Sequence, residues 1–314
     1  MPRSRAGGVD GILVVAKPAG PTSHDIVALV RRLSATRRIG HGGTLDPFAT
    51  GVLPLFLGRA TRLVEYHLGA DKAYRATVCF GASSTTDDLE GELTPVGPGP
   101  TRAAVETALE AFRGRIVQVP PAFSAVRIAG RRAYAMARAG EVPRPAPRTV
   151  TVTRLSVVAW DDTEPDRPIA GLEVECSAGT YVRSLARDLG AAVGGAAYLG
   201  ALTRTRSGAF GLADAVPLAD VRSAAADGPA SFAALLRPVD AGLEAWPTVR
   251  LADDDVAAIV RGRTVGLPDP PMDAGPLRVV DPAGRLVAVG FVTGDRRLRP
   301  GKVLVDLPVP AVAS

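Results

Sequence analysis

The segment His41-Gly42-Gly43-Thr44-Leu45-Asp46-Pro47, running on into Phe48-Ala49-Thr50-Gly51-Val52-Leu53, constrains this chain more than any other. Gly40, Gly42 and Gly43 permit positive φ and close backbone approach, at a conformational cost an ordinary loop avoids, so something must come near this backbone. Within that turn Asp46 has no second carboxylate, thiol or metal ligand beside it in sequence. Most carboxylate chemistry uses a pair, one acid and one base or nucleophile, so the pattern suits a lone catalytic aspartate. The plain alternative for an aspartate before proline is a turn initiator whose side chain bonds its own backbone.

At 314 residues the chain is long enough for two domains, or one large domain with an appendage. The formal charge of +5 matters because it is concentrated: between Pro120 and Arg148 stand Arg127, Arg131, Arg132, Arg138, Arg144 and Arg148 against Glu141 alone. A polyanion is the natural partner of such a stretch, and a charged surface helix is the plain reading. Cys79 and Cys176 lie in apolar alternating runs, far apart, and read as buried reduced thiols rather than a disulfide framework or a zinc site. The start of the chain has neither the length of a signal peptide nor that of a membrane span, so a cytoplasmic protein without membrane contact is expected.

Periodicity places the motifs. Ile12 to Ala16 reads as a strand, and Thr22 or Ser23 caps a helix with Ile26, Leu29, Val30 and Leu33 on one face. In the strand opened by Lys72, Tyr74 alternates inward with Ala76, Val78 and Phe80, as a core tyrosine also would. Ala82 to Glu92 reads as a loop, and Thr101 caps a helix that Gly114 ends. Val150 to Trp160 and Leu172 to Cys176 read as a hairpin-like pair of strands. After the turn at Ser177 a helix capped by Thr180 leaves Arg183 in its first turn, where the dipole disfavours a cation unless an anion such as Asp46 compensates it. Leu202 stands in a further short apolar stretch. After Pro247 the pattern restarts with a capped helix from Asp253 to Gly262 and a hairpin through Asp281-Pro282-Ala283-Gly284. Strands interspersed with helices, without a βαβ rhythm, favour an α+β fold on a mostly antiparallel sheet. No P-loop, His-Glu-x-x-His, Cys-x-x-Cys or dinucleotide fingerprint occurs, so neither cofactor nor metal is expected.

Gly40 through Leu53 resembles the signature of the TruB family, the bacterial tRNA pseudouridine-55 synthases, in which Gly-His-x-Gly-Thr-Leu-Asp-Pro-x-Ala-x-Gly-Val-Leu surrounds the essential aspartate. The turn Lys17-Pro18-x-Gly20-x-Thr22-Ser23, the strand at Tyr74, the segment Ser177 to Leu189 and the stretch around Leu202 resemble further motifs of that family, from about Gly11 to about Phe210. The resemblance implies a pseudouridine synthase fold, a mixed, mostly antiparallel sheet flanked by helices. It implies a catalytic domain over 1–246 with an RNA-gripping insertion at 120–148, and a small β-rich PUA-like domain over 247–314. It also implies the roles: Asp46 catalytic, Arg183 paired with it, Tyr74 against the target uracil, Leu202 a pocket wall, Tyr181 a substrate contact in the Arg183 motif, and His41 a brace in the gap left by a flipped base. Arg127, Arg131, Arg132 and Arg138 would grip RNA. The implied reaction is conversion of uridine to pseudouridine in the T-loop of tRNA, by a monomer needing no guide RNA or protein partner. Asp46 would either attack covalently or take the ribose 2′ proton. The rival within RNA biology is a non-catalytic tRNA-binding or RNA-folding protein in which Asp46 only shapes a turn. A hydrolase of glycosidic bonds would want another carboxylate or a metal to activate water.

Overall fold

The computed structural model describes residues 8–124, 126–128, 130–271 and 275–305, with only the backbone of residues 127, 132, 134, 135 and 138. β1 (Gly11–Lys17) is a continuous apolar run because it lies inside a sheet with both faces covered. α1 (Ser23–Ser34) opens at Thr22, whose hydroxyl accepts from the Asp25 amide while the Asp25 carboxylate accepts from the Thr22 amide. Its 3.6-residue period buries Ile26, Leu29 and Val30 on one face. β2 (Ile39–His41) and β3 (Thr50–Leu57) then flank the glycine-rich turn and pair antiparallel.

Beyond a 3₁₀ turn and α2 (Val64–Leu68), β4 (Lys72–Phe80) buries Ala76, Val78 and Phe80 and packs Tyr74 against the same core. The stretch from Ala82 is not all loop: β5 (Ala82–Ser84) pairs with β6 (Leu93–Pro95) around a turn knotted by serine and threonine hydroxyls. Too short and polar to show alternation, β5 leaves no hydrophobic signal. α3 (Arg102–Ala108) is capped by Thr101 as expected, and Gly114, at φ 78°, turns the chain into β7 (Gly114–Gln118). The Arg-rich segment forms the small hairpin β8 (Arg127–Ile128) and β9 (Arg131–Arg132) followed by α4 (Ala133–Arg138).

β10 (Arg148–Asp161) and β11 (Ile169–Cys176) form the expected antiparallel pair. Next come α5 (Val182–Ala192), β12 (Ala197–Ser207), β13 (Phe210–Gly211), β14 (Val216–Pro217), α6 (Leu218–Asp227) and α7 (Pro229–Ala234). The main sheet runs β14-β1-β3-β12-β4-β11-β10-β7, parallel at β14/β1 and β3/β12 and antiparallel at its other junctions. This is the mixed, mostly antiparallel α+β architecture the sequence implied. β1 covers one side of β3 along its length, while β12 reaches the other side only at Thr50 and Gly51. That crossing point sits just after Asp46 and fixes where the turn lies.

A second sheet holds β15 (Thr248–Arg250), β16 (Val265–Gly266), β17 (Leu277–Val280), β18 (Leu286–Val292) and β19 (Arg297–Val303), in the order β15-β17-β18-β19-β16. α8 (Asp253–Val260) packs on it, and Leu251, Ile259, Val279, Ala288 and Leu298 build a separate core. No side chain caps α8; Ala252 holds that position, and three aspartates in the first turn complement the helix dipole instead. The second sheet is docked by Leu243, Val280, Leu286 and Val289 against Leu63, and by a Lys302–Glu65 ion pair of 2.7 Å.

Candidate active site

Two buried cations shape the turn. Lys17, 1% exposed at the end of β1, donates from Nζ to the carbonyls of Pro18 at 3.0 Å, Pro47 at 2.9 Å and Ala49 at 2.7 Å. Arg204, on β12, donates from Nε to the Val52 carbonyl at 2.8 Å, from Nη2 to Gly43 at 3.1 Å and from Nη1 to Thr44 at 3.4 Å. Carbonyl dipoles thus face both charges, and Ser23 adds a reciprocal pair of hydrogen bonds to the Leu45 backbone. Of the three glycines expected to need unusual backbone, only Gly43, at φ 129°, does. Gly51, at φ 100°, has the stronger reason: a Cβ there would sit 2.2 Å from the Arg204 carbonyl oxygen.

Pinned from both sides, the turn presents Asp46 to the N-terminus of α5. Arg183 Nη2 donates to Asp46 Oδ1 at 3.1 Å, and Nε lies 3.1 Å from Oδ2. The arginine is 5% exposed while Asp46 keeps 31% of its side chain open to solvent, so the carboxylate faces outward from a fixed guanidinium. Burial pushes the Asp46 carboxyl above its ordinary range, and the Arg183 charge opposes this without cancelling it. Arg183 therefore offsets the desolvation of Asp46 only in part.

A second carboxylate explains part of the shortfall and corrects the reading of Asp46 as solitary. Asp88, 4% exposed, places Oδ2 3.1 Å from Arg183 Nη1, and its charge raises the Asp46 value further. The Thr86 hydroxyl and the Glu90 amide hold Asp88 Oδ1 at 2.5 and 3.0 Å. Arg183 also donates to the carbonyls of Thr86 at 3.1 Å and Phe123 at 2.9 Å, so both of its Nη nitrogens are engaged by fixed acceptors.

Nor is α5 capped by Thr180. Thr180 donates its hydroxyl to the Ser177 carbonyl, and Tyr181 holds the cap position without a side-chain bond. Gln118, buried at the end of β7, replaces the cap from outside: its Oε1 accepts from the Tyr181 amide at 2.7 Å and its Nε2 donates to the Tyr181 carbonyl at 3.0 Å. Ser184 and Arg187 bond the Val119 carbonyl at 2.7 and 3.0 Å, tying the same turn of α5 to the strand that leads into the Arg-rich segment.

The remaining expected residues fall around this centre in different ways. Tyr74 is the cross-strand partner of Arg204, and burial raises its phenol while the Arg204 charge opposes the rise. Leu202, 7% exposed, lies in the same main core cluster as Tyr74. His41 packs edge-on to His24 at 5.3 Å between ring centroids, and burial lowers its imidazole, keeping it neutral at pH 7. The Tyr181 ring lies under the Arg148 guanidinium at 5.2 Å. Arg131 is exposed but already held in a two-point pair with Glu141, at 3.0 and 2.6 Å. The side chains of Arg127, Arg132 and Arg138 lie outside the described residues. Both cysteines are free; Cys176 is buried, whereas Cys79 is partly exposed. Among the described residues no three His, Cys, Asp or Glu side chains gather as metal ligands.

Sequence reasoning gave Asp88 and Gln118 no part here, and placed Lys17 and Arg204 in motif stretches without assigning either a role. Lys17 and Arg204 had a faint signal, a charged residue beside or within an apolar run. Asp88 and Gln118 sat in segments whose pattern gave no direction to their side chains.

The chain resembles known proteins over nearly its whole length. Residues 31–182 match the N-terminal domain of TruB family pseudouridylate synthase, 183–244 the C-terminal domain of tRNA pseudouridylate synthase B, and 247–304 the C-terminal region of pseudouridine synthase II TruB. A tRNA pseudouridine synthase B of Pseudomonas aeruginosa is 42% identical, over 94% of this chain and 96% of its own length. One of Thermobifida fusca is 43% identical, over 89% and 94%. Among solved structures, the archaeal box H/ACA sRNP Nop10–Cbf5 complex contains a chain matching with a TM-score of 0.71 at 26% identity, covering 94% of this chain and 86% of its own. Fold, domain order and relatives together define an RNA-modifying isomerase. The chain belongs to the TruB family of pseudouridylate synthases.

Proposed function

We propose that this chain isomerises uridine to pseudouridine in the T-loop of tRNA, at uridine 55, with Asp46 as its catalytic group. The reaction breaks the bond from uracil N1 to ribose C1′ and joins C1′ to C5 of the same base. N1 gains a proton, C5 loses one, and no electrons enter or leave. Positioning and one carboxylate meet that demand, and the observation that carries the reading is the partly open Asp46 carboxylate held 3.1 Å from the buried Arg183 guanidinium. The target nucleotide must leave its stack to reach Asp46, at a cost of roughly a few kcal/mol. Tyr74 and Leu202 then flank the extruded uracil, Tyr181 contacts it, and the neutral His41 ring braces the vacated space.

The catalytic domain covers 1–246, and a PUA-like domain over 247–314 extends the RNA-binding surface, with Arg127, Arg131, Arg132 and Arg138 gripping the T-arm. The enzyme works as a cytoplasmic monomer without guide RNA or partner protein. No described helix is long and apolar enough to cross a membrane. Incubation of the purified chain with an unmodified tRNA transcript tests the reading. Nucleoside analysis is expected to find pseudouridine in the T-loop with nothing else added; release of free uracil, dependence on a guide RNA, or no product at all overturns it.

A further inference from the structure

Arg204 is 1% exposed and, among the described residues, makes no ion pair with Asp or Glu. Burying a guanidinium is costly unless fixed dipoles answer it, and here the answering carbonyls of Gly43, Thr44 and Val52 lie on either side of Asp46 in the chain. Strand register explains how they meet. Gly51 of β3, Arg204 of β12 and Tyr74 of β4 stand in one row across the sheet, paired Gly51 to Arg204 and Arg204 to Tyr74. Directly opposed residues of an antiparallel pair project from the same face with Cβ atoms about 5 Å apart, which sets the Arg204 and Tyr74 side chains beside each other. Missing a Cβ, Gly51 lets β3 close on the Arg204 backbone. From that row the fork reaches the carbonyls of Gly43 and Thr44, within the turn that carries Asp46.

We propose that Arg204 is a positioning residue that sets Tyr74 and Asp46 at a fixed separation, one planar fork holding the phenol on one side and the Asp46 turn on the other. The inference rests on reading the chain as a pseudouridine synthase. A lysine keeps the charge but not the fork, so it cannot hold both sides at once. The same guanidinium opposes the rise that burial imposes on the Tyr74 phenol.

The test uses the full chain, as Arg204→Lys, Arg204→Gln, Tyr74→Phe and the Arg204→Lys/Tyr74→Phe double variant, in single turnover on an unmodified tRNA transcript. Arg204→Lys is expected to slow the chemical step about 10- to 100-fold while the substrate concentration for half-maximal rate moves less than about twofold. Introduced into Tyr74→Phe, it is expected to slow that step less than about threefold further, because the two side chains share one interaction. Equal penalties in both backgrounds overturn the proposal. Tyrosine ionisation followed by ultraviolet absorbance, with the Tyr74 signal taken as wild type minus Tyr74→Phe, needs no turnover. Paired with the matching double variant, Arg204→Gln is expected to move that signal to higher pH; no movement overturns the proposal. Should the Arg204 variants fail to fold, Tyr74→Phe alone decides: amide exchange across residues 43–52 is expected to quicken, and unchanged exchange refutes the coupling. A wild-type protein that makes no pseudouridine would sink the functional reading, while the titration and exchange measurements would still judge Arg204.

Discussion

Asp46 and Asp88 grip different nitrogens of one guanidinium, Asp46 Oδ1 lying 3.1 Å from Arg183 Nη2 and Asp88 Oδ2 3.1 Å from Nη1. Two negative charges thus share one positive charge in a site where only Asp46 keeps appreciable solvent access, with 31% of its side chain open against 4% for Asp88. That imbalance helps to raise the Asp46 carboxyl. It also makes the ionised Asp46 carboxylate a burden on the fold rather than a brace.

Asp46→Asn removes that burden along with the chemistry. Pseudouridine formation is expected to vanish while tRNA binding, measured by filter retention, stays within a few-fold of wild type. A binding protein without catalysis would instead keep every activity. Stability is expected to move the other way. A carboxyl whose folded pKa is raised stabilises the fold below its unfolded value and loses that contribution as pH climbs through the raised value, so at pH 7 wild type carries the penalty and the amide does not. The variant is expected to melt above wild type at pH 7, and a melting point several degrees lower would contradict this account.

Asp88→Asn leaves Asp46 as the sole carboxylate on Arg183. The amide accepts one hydrogen bond from Arg183 but brings no charge, and its NH₂ group competes for the Thr86 and Phe123 carbonyls that now orient the arginine. Turnover is expected to fall about 10- to 100-fold through misplacement of Arg183, with little change in tRNA affinity. Chemical denaturation is expected to show a loss of about 3 kcal/mol, the scale for removing one member of a buried ion pair. Loss of affinity with turnover unchanged would place Asp88 in RNA binding instead.

The fold was legible wherever burial imposed a period. β1, α1, β4 and the β10/β11 pair follow from alternation or from the 3.6-residue repeat, because each presents one apolar face or run to the main core. Asp46 and Arg183 were legible as partners through the family motifs they stand in, since the helix dipole by itself asks only for some anion or water near Arg183. Asp88 was not, since its place depends on a hydroxyl-closed turn after β5 that no hydrophobic pattern announces. The missing Thr180 cap has a similar cause. A capping residue can be read from its neighbours, but a glutamine 63 positions earlier in the chain that does the same work cannot.

Lys17 gives the chain a pH signature separate from Asp46. Desolvation brings its amine down from 10.5 to about 8, so between those values the unfolded chain binds more protons than the folded one and stability rises with pH. The rise amounts to on the order of 3 kcal/mol if the full shift is realised. Denaturant titrations at pH 8 and pH 10.5 are expected to show it in wild type and not in Lys17→Met. Activity follows the opposite course above pH 8, because three carbonyl acceptors need the three protons of the ammonium to hold the Asp46 turn. A wild-type rate that stays flat from pH 8 to 10 would show that the neutral amine holds the turn equally well.

Gln118 tests whether α5 is placed by its neighbour or by its own packing. Its amide closes both backbone groups of Tyr181, two residues before Arg183, and it is 1% exposed, so water cannot replace it cheaply. Gln118→Leu preserves most of the volume and leaves the Tyr181 amide without its partner, a loss of about 1 to 3 kcal/mol at most, while the Tyr181 carbonyl keeps its bond from the Leu185 amide. The Val182, Leu185, Ala186 and Leu189 face still buries α5, so the helix stays in place and only its first turn loosens. Turnover is expected to drop about tenfold, with the melting point lowered by a few degrees and the pH midpoint of the acid limb moved upward, because a looser Arg183 holds Asp46 less firmly in its ionised form. If stability falls but the acid limb stays where it is in wild type, Gln118 supports the fold without setting the Arg183–Asp46 contact.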